Sequence, residues 1–221
     1  MALSTRKLCC IGVAAIFLCL AVVLRFPVST FVSPGQHDVL PIANITTLQH
    51  FYGTLSDAPH LYTFHIAAPT DILLSVFVPD LPEQRSDISL LVLREKERGL
   101  DLVSRLEAAR ASWMSSAWWS TGDTYRKGAV WHDTLSAGDY EIEVSTPINQ
   151  GSYVLVLGTE STSTLMAYRT ELTNLFQIKH FFHKSNVASI ESPLLFVPLL
   201  LVIWSLYEGW RIYQKRRGMV Y

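Results

Sequence analysis

The chain's 221 residues carry 18 lysines and arginines against 19 aspartates and glutamates, a formal net charge of −1, and 49% of them are apolar. That balance gives no sign of nucleic acid as a partner; the apolar runs at the two ends raise the apolar fraction, and the stretch between them is long enough for one core. All three cysteines, Cys9, Cys10 and Cys19, lie near the N-terminus, so everything after them is expected to be held without a disulfide or a thiolate metal site.

Leu8 to Leu24 is almost wholly apolar, with Arg6 and Lys7 before it. If Arg25 reaches to the headgroups, Phe26, Pro27 and Val28 extend the run, which predicts a transmembrane helix over 8–28 behind a cytoplasmic N-terminus over 1–7. A cleaved signal peptide is the rival reading, although no small-x-small site follows Leu20. Cys9 and Cys10 are placed either for acylation or as bystanders. Phe31 to Gln36 contains Pro34 and Gly35 and reads as a short linker. Asn44-Ile45-Thr46 is a glycosylation sequon, relevant only in a eukaryotic secretory pathway.

Strand signals fill 36–160. Tyr62 to Ile66 alternates at period two, as does Asp71 to Val78, where Ile72, Leu74, Val76 and Val78 share a face. Ile88 to Leu93 is more continuously apolar. Tyr140, Ile142 and Val144 alternate with Glu141 and Glu143, a pair that reads as the solvated face of a sheet. Ser152 to Leu157 closes the set. Turn chemistry at Ala68-Pro69-Thr70-Asp71, Ala137-Gly138-Asp139 and Asn149-Gln150-Gly151 separates the strands. The expectation is a mainly β fold, an antiparallel β-sandwich forming one extracytoplasmic domain. Glu95 to Ser116 breaks the alternation: Leu102, Leu106 and Ala109 recur at helical spacing, which predicts a helical insertion. Trp113, Trp118 and Trp119 follow it, either plugging the open end of the core or forming a contact patch for membrane or a partner.

After Gly158, Leu165, Tyr168, Leu172, Leu175, Phe176 and Lys179 fall on one stripe, widened by Ile178, Phe181 and Phe182. They predict an amphipathic helix over 163–186, with Phe181 and Phe182 as further candidate contacts. Pro193 to Tyr207 is apolar, and a second transmembrane helix is expected over 192–212. Pro193 would stand at its start, Pro198 inside it, and Trp204, Tyr207, Trp210 and Tyr213 as an interfacial belt. Glu208 would snorkel or pair with Arg211. Residues 213–221 form a basic tail with Lys215, Arg216 and Arg217. Basic residues outside both apolar runs predict that both termini are cytoplasmic.

The run Trp131 to Glu160 contains Leu135, Ala137, Gly138 and Tyr140, then Gly151, Tyr153 and Leu155, and Gly158. This pattern resembles the closing hairpin of bacterial pre-peptidase C-terminal domains and their jelly-roll relatives, L-x-A-G-x-Y followed by G-x-Y-x-L and a final glycine. The stretch from His60 to Asp80 is similar to the same family's Y-x-F-x-(V/I) strand and the apolar strand after it. The resemblance covers about 38–159. It implies a jelly-roll-like sandwich and an accessory module that binds polymers, sugars or other proteins, or assists secretion; the two apolar anchors depart from the family, and with them the expected location is a membrane, the bacterial cell membrane. Some members bind calcium, but this chain lacks the dense Asp/Asn run of those sites, so no metal residues carry over.

The sequence holds no Gly-x-Ser-x-Gly, no His-Glu-x-x-His, no P-loop and no dinucleotide glycine pattern. His180 and His183 lack an acidic or cysteine partner nearby. The expectations are therefore no catalytic residues, no cofactor and no metal. The chain reads as a doubly anchored, non-enzymatic membrane protein that presents a binding module to an envelope polymer or a membrane-protein partner. The alternatives are an accessory subunit of a membrane complex and a hydrolase with an unrecognised site.

Overall fold

Alternation of apolar and polar residues sorts the strands onto two sheets. A computed structural model describes residues 26–33, 39–161 and 165–216. Phe26–Trp118 together with Asp123–Thr162 form one compact unit, and Trp119–Gly122 group with the helices in another.

The first unit is mainly β, with two mixed sheets. Its strands are β1 (Val28–Phe31), β2 (Leu40–Pro41), β3 (Gln49–Ser56), β4 (His60–Ile66), β5 (Thr70–Pro79), β6 (Ser89–Lys96), β7 (Gly99–Leu106), β8 (Met114–Trp118), β9 (Asp123–Leu135), β10 (Gly138–Ser145) and β11 (Gln150–Leu157). One sheet has the order β1-β3-β11-β5-β9-β8 and the other β2-β4-β10-β6-β7. Only the β1–β3 and β2–β4 pairs are parallel; the rest are antiparallel. Ile72, Leu74, Val76 and Val78 of β5 are all buried in the core between the sheets, as the period-two pattern requires. Tyr140, Ile142 and Val144 of β10 meet them from the opposite sheet.

The core has a polar centre. Tyr153 on β11 is fully buried, and its hydroxyl bonds to both Tyr62 Oη and His60 Nδ1 on β4, each at 2.6 Å. Because β4 belongs to the other sheet, this cluster ties the two layers through one phenol. The ring can lie there because its cross-strand neighbour is Gly53: a Cβ at Gly53 would come within 2.6 Å of Tyr153 Cζ. Burial pushes both tyrosine hydroxyls above their ordinary pKa, so they stay neutral donors at all moderate pH. The turn into β10 is held from its side chains as well. Tyr140 Oη donates to Ser136 O at 2.9 Å, and Arg94 Nη2 donates to Ala137 O at 2.7 Å.

The outer face of the six-stranded sheet carries an aromatic cluster. Trp118 stacks on Tyr125 with centroids 4.0 Å apart, meets Phe77 edge-on at 5.2 Å and lies 4.5 Å from His50. His50 Nδ1 is sealed from solvent, with no hydrogen-bond partner among the described residues. Desolvation lowers its pKa from 6.5 to about 3.

One expectation is corrected, and another falls mostly outside the described residues. The helical insertion over Glu95 to Ser116 is absent. Gly99 (φ +123°) instead turns the chain into β7, which pairs antiparallel with β6, and only Ala108–Arg110 make a single 3₁₀ turn. Helical spacing of Leu102, Leu106 and Ala109 lost to the ladder bonds that an edge strand gains from β6. The predicted helix over 8–28 lies outside the described residues except for its last three. There Phe26 is buried and Val28 opens β1, so the chain is already extended at that point.

In the second unit, α1 (Leu165–Phe181) buries Tyr168, Leu175 and Ile178, with Phe182 just beyond its end. Tyr168 and Leu175 belong to the expected stripe and Ile178 and Phe182 to its wider flank, while Phe176 is exposed and Leu172 half-buried. Lys179 is buried, and its Nζ donates to Thr121 O at 2.6 Å. Ser192 caps α2 (Pro193–Arg216): its carbonyl accepts from Leu195 N and Phe196 N, while its Oγ donates to Ser120 O. Pro193 stands at the first helical position, where its missing N–H costs nothing.

Two outcomes are expected. Tyr153→Phe leaves Tyr62 Oη and His60 Nδ1 without their buried partner and should lower the unfolding free energy by about 1–3 kcal/mol, while Gly53→Ala should lower it by about 1–3 kcal/mol through overpacking; urea unfolding of full-length protein measures both. His50 is neutral in the folded chain down to about pH 3, whereas the unfolded imidazole takes a proton near its ordinary value. The unfolded state therefore binds more protons as pH falls below that value, and stability falls with it by up to about 1.4 kcal/mol per pH unit. His50→Leu should flatten the fall in urea midpoint between pH 7 and 4, relative to the parent chain.

Candidate functional site

The five-stranded sheet turns its second face outward, and the register fixes what stands there. Glu141 is opposite Thr63 on β4 and Leu93 on β6, and Leu93 is opposite Leu102 on β7. One step along, Glu143 faces Leu61 and Leu91, and Leu91 faces Arg105. At the other end Asp139 faces His65, and Glu95 faces Leu100. The result is an acidic stripe along β10 beside a leucine stripe along β6 and β7. Leu102 is 59% and Leu100 52% exposed, high values for side chains of that size.

A bulge makes this pattern possible. The β6–β7 register shifts between Val92 and Leu93, and Val103 has no partner on β6. The extra residue puts Leu102 and Leu100 outward while Leu106 stays in the core.

A shallow depression of about 550 Å³ crosses the face, lined among others by Pro41, Thr63, His65, Glu95, Leu100 and Glu141. Two of its polar side chains engage each other: His65 Nδ1 bonds to Asp139 Oδ1 at 2.7 Å, an exposed contact. Arg105 at the margin is drawn to Glu107 at 3.4 Å, and Lys96 pairs with Asp101. Among the described residues no cation pairs with Glu95, Glu141 or Glu143. The Glu141 carboxyl is pushed above its ordinary pKa, first by partial burial, then by the charges of Glu143 and Glu95. Chemically the face offers unneutralised carboxylates next to apolar surface, an arrangement suited to binding.

The contact residues expected from the sequence fall in two units, Trp113 and Trp118 in the sandwich and Trp119, Phe181 and Phe182 in the helical one. Trp113 is half-buried and packs on the core, its ring lying where a Cβ at Gly128 would fall, 2.6 Å from Cη2. Trp118 is taken up in the aromatic cluster with Tyr125 and Phe77. Trp119 is 53% exposed. Phe182 is 3% exposed and Phe181 half-buried, paired edge-to-face at 6.0 Å. Phe182 is thus a core residue of the helical unit, since it continues the Tyr168, Leu175, Ile178 stripe.

Glu141 and Glu143 do stand on the outer face, as the alternation of β10 indicates. Of their apolar neighbours, Leu91 and Leu93 lie in the stretch that reads as a continuously apolar strand, which hides the face they turn to, and Leu100 and Leu102 were missed because Glu95 to Ser116 reads as helix. The signal that would have found them is Leu100-Asp101-Leu102 directly after Arg98-Gly99, a turn followed by period-two alternation. Among the described residues no group of three or more histidines, cysteines or carboxylates is placed to hold a metal ion.

No family model and no curated protein matches the sequence. Among solved structures, the pre-peptidase C-terminal domain of a collagenase from Bacillus anthracis aligns over 55% of this chain and 95% of its own, at 14% identity and a TM-score of 0.34. The Yersinia pseudotuberculosis-derived mitogen aligns over 53% of this chain and 91% of its own, at 11% identity and a TM-score of 0.35. A beta-glucosidase from Paenibacillus barengoltzii aligns over 61% of this chain but only 13% of its own length, at 11% identity and a TM-score of 0.26. A pre-peptidase C-terminal domain, the kind the closing hairpin resembles, is thus among the similar structures; the sandwich itself rests on the strand order and register given above.

Proposed function

We propose that this chain is a membrane-anchored, non-enzymatic binding module: a β-sandwich held at a bilayer so that its open sheet face meets a partner outside the cytoplasm. The observation that carries the anchoring is α2. Its stretch Pro193–Gln214 spans 22 residues at a mean hydropathy of 1.5, long and apolar enough to cross a membrane. At 1.5 Å per residue a helix of that length covers about 33 Å, against a hydrocarbon core of about 30 Å. Its large side chains, Phe196, Leu200, Ile203 and Trp204 among them, are exposed rather than packed. Trp204, Tyr207, Trp210 and Tyr213 are all exposed towards the basic end, where an interfacial belt belongs. Glu208 lies 3.4 Å from Arg211, so its charge is offset next to that belt.

The remainder of the reading extends this. The apolar run over 8–24 supplies a second crossing, both termini lie on the cytoplasmic side, and the sandwich is periplasmic or extracellular. The strand order supports a jelly roll: β3-β11-β5-β9 and β4-β10-β6-β7 are the two four-stranded layers of that fold, with β1, β2 and β8 added at the edges. Attachment at both ends would restrict orientation and raise the effective concentration for a membrane-bound partner. An accessory subunit of a membrane complex is the same arrangement with a permanent partner.

The test uses the full-length chain with Cys9, Cys10 and Cys19 replaced by serine and one cysteine introduced, at Ser145 or at Gly218. In intact cells a membrane-impermeant maleimide should label Ser145→Cys and leave Gly218→Cys unlabelled until the membrane is permeabilised. Extraction of the chain by alkaline carbonate, or labelling of Gly218→Cys from outside, would overturn the reading.

A further inference from the structure

We propose that the outer face of the five-stranded sheet docks a basic, amphipathic segment of a partner protein, its cations on Glu141, Glu143 and Glu95 and its apolar side chains on the leucines of β6 and β7. The inference rests on the binding-module reading and names the surface and the chemistry of the partner.

Charge complementarity carries it. The three carboxylates stand on two neighbouring strands without a cation of their own, and Glu141, partly buried, also feels the charges of Glu143 and Glu95. Along β10 successive outward carboxylates are about 7 Å apart, the pitch of alternate residues in an extended chain. The leucine stripe lies one and two strands away, about 5 and 10 Å from the acidic one. A segment with lysine or arginine on one side and apolar residues on the other would neutralise the first stripe and cover the second. An anionic bilayer surface is the wrong partner, because its headgroups would meet the carboxylates. A second copy of the same face is also wrong, because it would bring like charges together.

The edge of the sheet argues against strand addition as the route. The bulge at Val103 interrupts the outer ladder of β7, and Asp101 and Arg105 place charges along it. The partner therefore lies across the face.

The experiment uses full-length chain in zwitterionic nanodiscs and a fluorescent peptide, Lys-Leu-Lys-Leu-Lys-Leu-Lys, with empty discs as background. The peptide should bind the chain, and the affinity should fall several-fold when salt rises from about 0.05 M to about 0.3 M. The double variant Glu141→Gln, Glu143→Gln should weaken binding at least about tenfold, and Leu93→Ser with Leu102→Ser by a similar factor. Glu95→Gln alone should give a smaller loss, which keeps the test open if a double variant unfolds. Equal binding by parent and variants, tighter binding of Glu-Leu-Glu-Leu-Glu-Leu-Glu, binding to anionic vesicles through the sandwich, or self-association through this face would each overturn the proposal. Carbonate extraction of the same chain separates the two readings. A chain that stays in the membrane but ignores the peptide refutes the docking surface alone, and a chain that is extracted but binds the peptide refutes the anchoring alone.

Discussion

The Tyr153 hydroxyl is the constraint on which the sandwich turns. Two sheets packed by apolar contact alone can slide, because dispersion and burial have no direction. A phenol held by two partners at 2.6 Å on the opposite layer fixes one relative placement of β11 and β4. Gly53 is the other half of that arrangement, since any side chain there would displace the ring. With β11 and β4 located, the registers to β3, β5 and β10 follow by ladder pairing, and every outward residue of the five-stranded sheet is assigned a position.

The sequence is most legible where burial is one-sided. In β10 the alternation of Tyr140, Ile142 and Val144 with Glu141 and Glu143 can be read only one way, and both faces were foreseeable from it. β5 was readable for its core face, although Ser75 and Phe77 on the other face are buried too. β7 was not readable, because it is an edge strand with a bulge. One extra residue inside it breaks strict alternation, and the broken alternation of Leu102, Val103 and Leu106 imitates helical spacing. The tryptophans illustrate a different limit. Composition says that Trp113 and Trp118 are large and apolar, but only the fold shows that Gly128 leaves room for one and Tyr125 a stacking face for the other. In α1 the stripe was readable through Tyr168, Leu175 and Lys179 and only Phe176 turns outward, but that the Lys179 amine reaches the Thr121 carbonyl is something no hydrophobic pattern encodes.

The two faces of the sandwich are built on opposite terms. The six-stranded sheet carries aromatic rings outward, and His50 is kept neutral among them by desolvation. The five-stranded sheet carries charge outward and leaves leucines at its margin. A domain with one aromatic and one acidic face has a direction, and a direction is useful only where the molecule is held in a fixed orientation.

The place of β11 in the sheet has a consequence for biosynthesis. The last of the described strands is inserted between β3 and β5, so neither of those earlier strands has its full complement of neighbours until residue 157 has been made. A nascent chain that stops short leaves two apolar strand edges open at the centre of the layer, where a foreign strand could pair. Contacts between residues so far apart in sequence also form slowly. The emerging domain therefore spends its most adhesive interval before completion, and both helices, α1 and α2, are made only after the strand that closes the sheet.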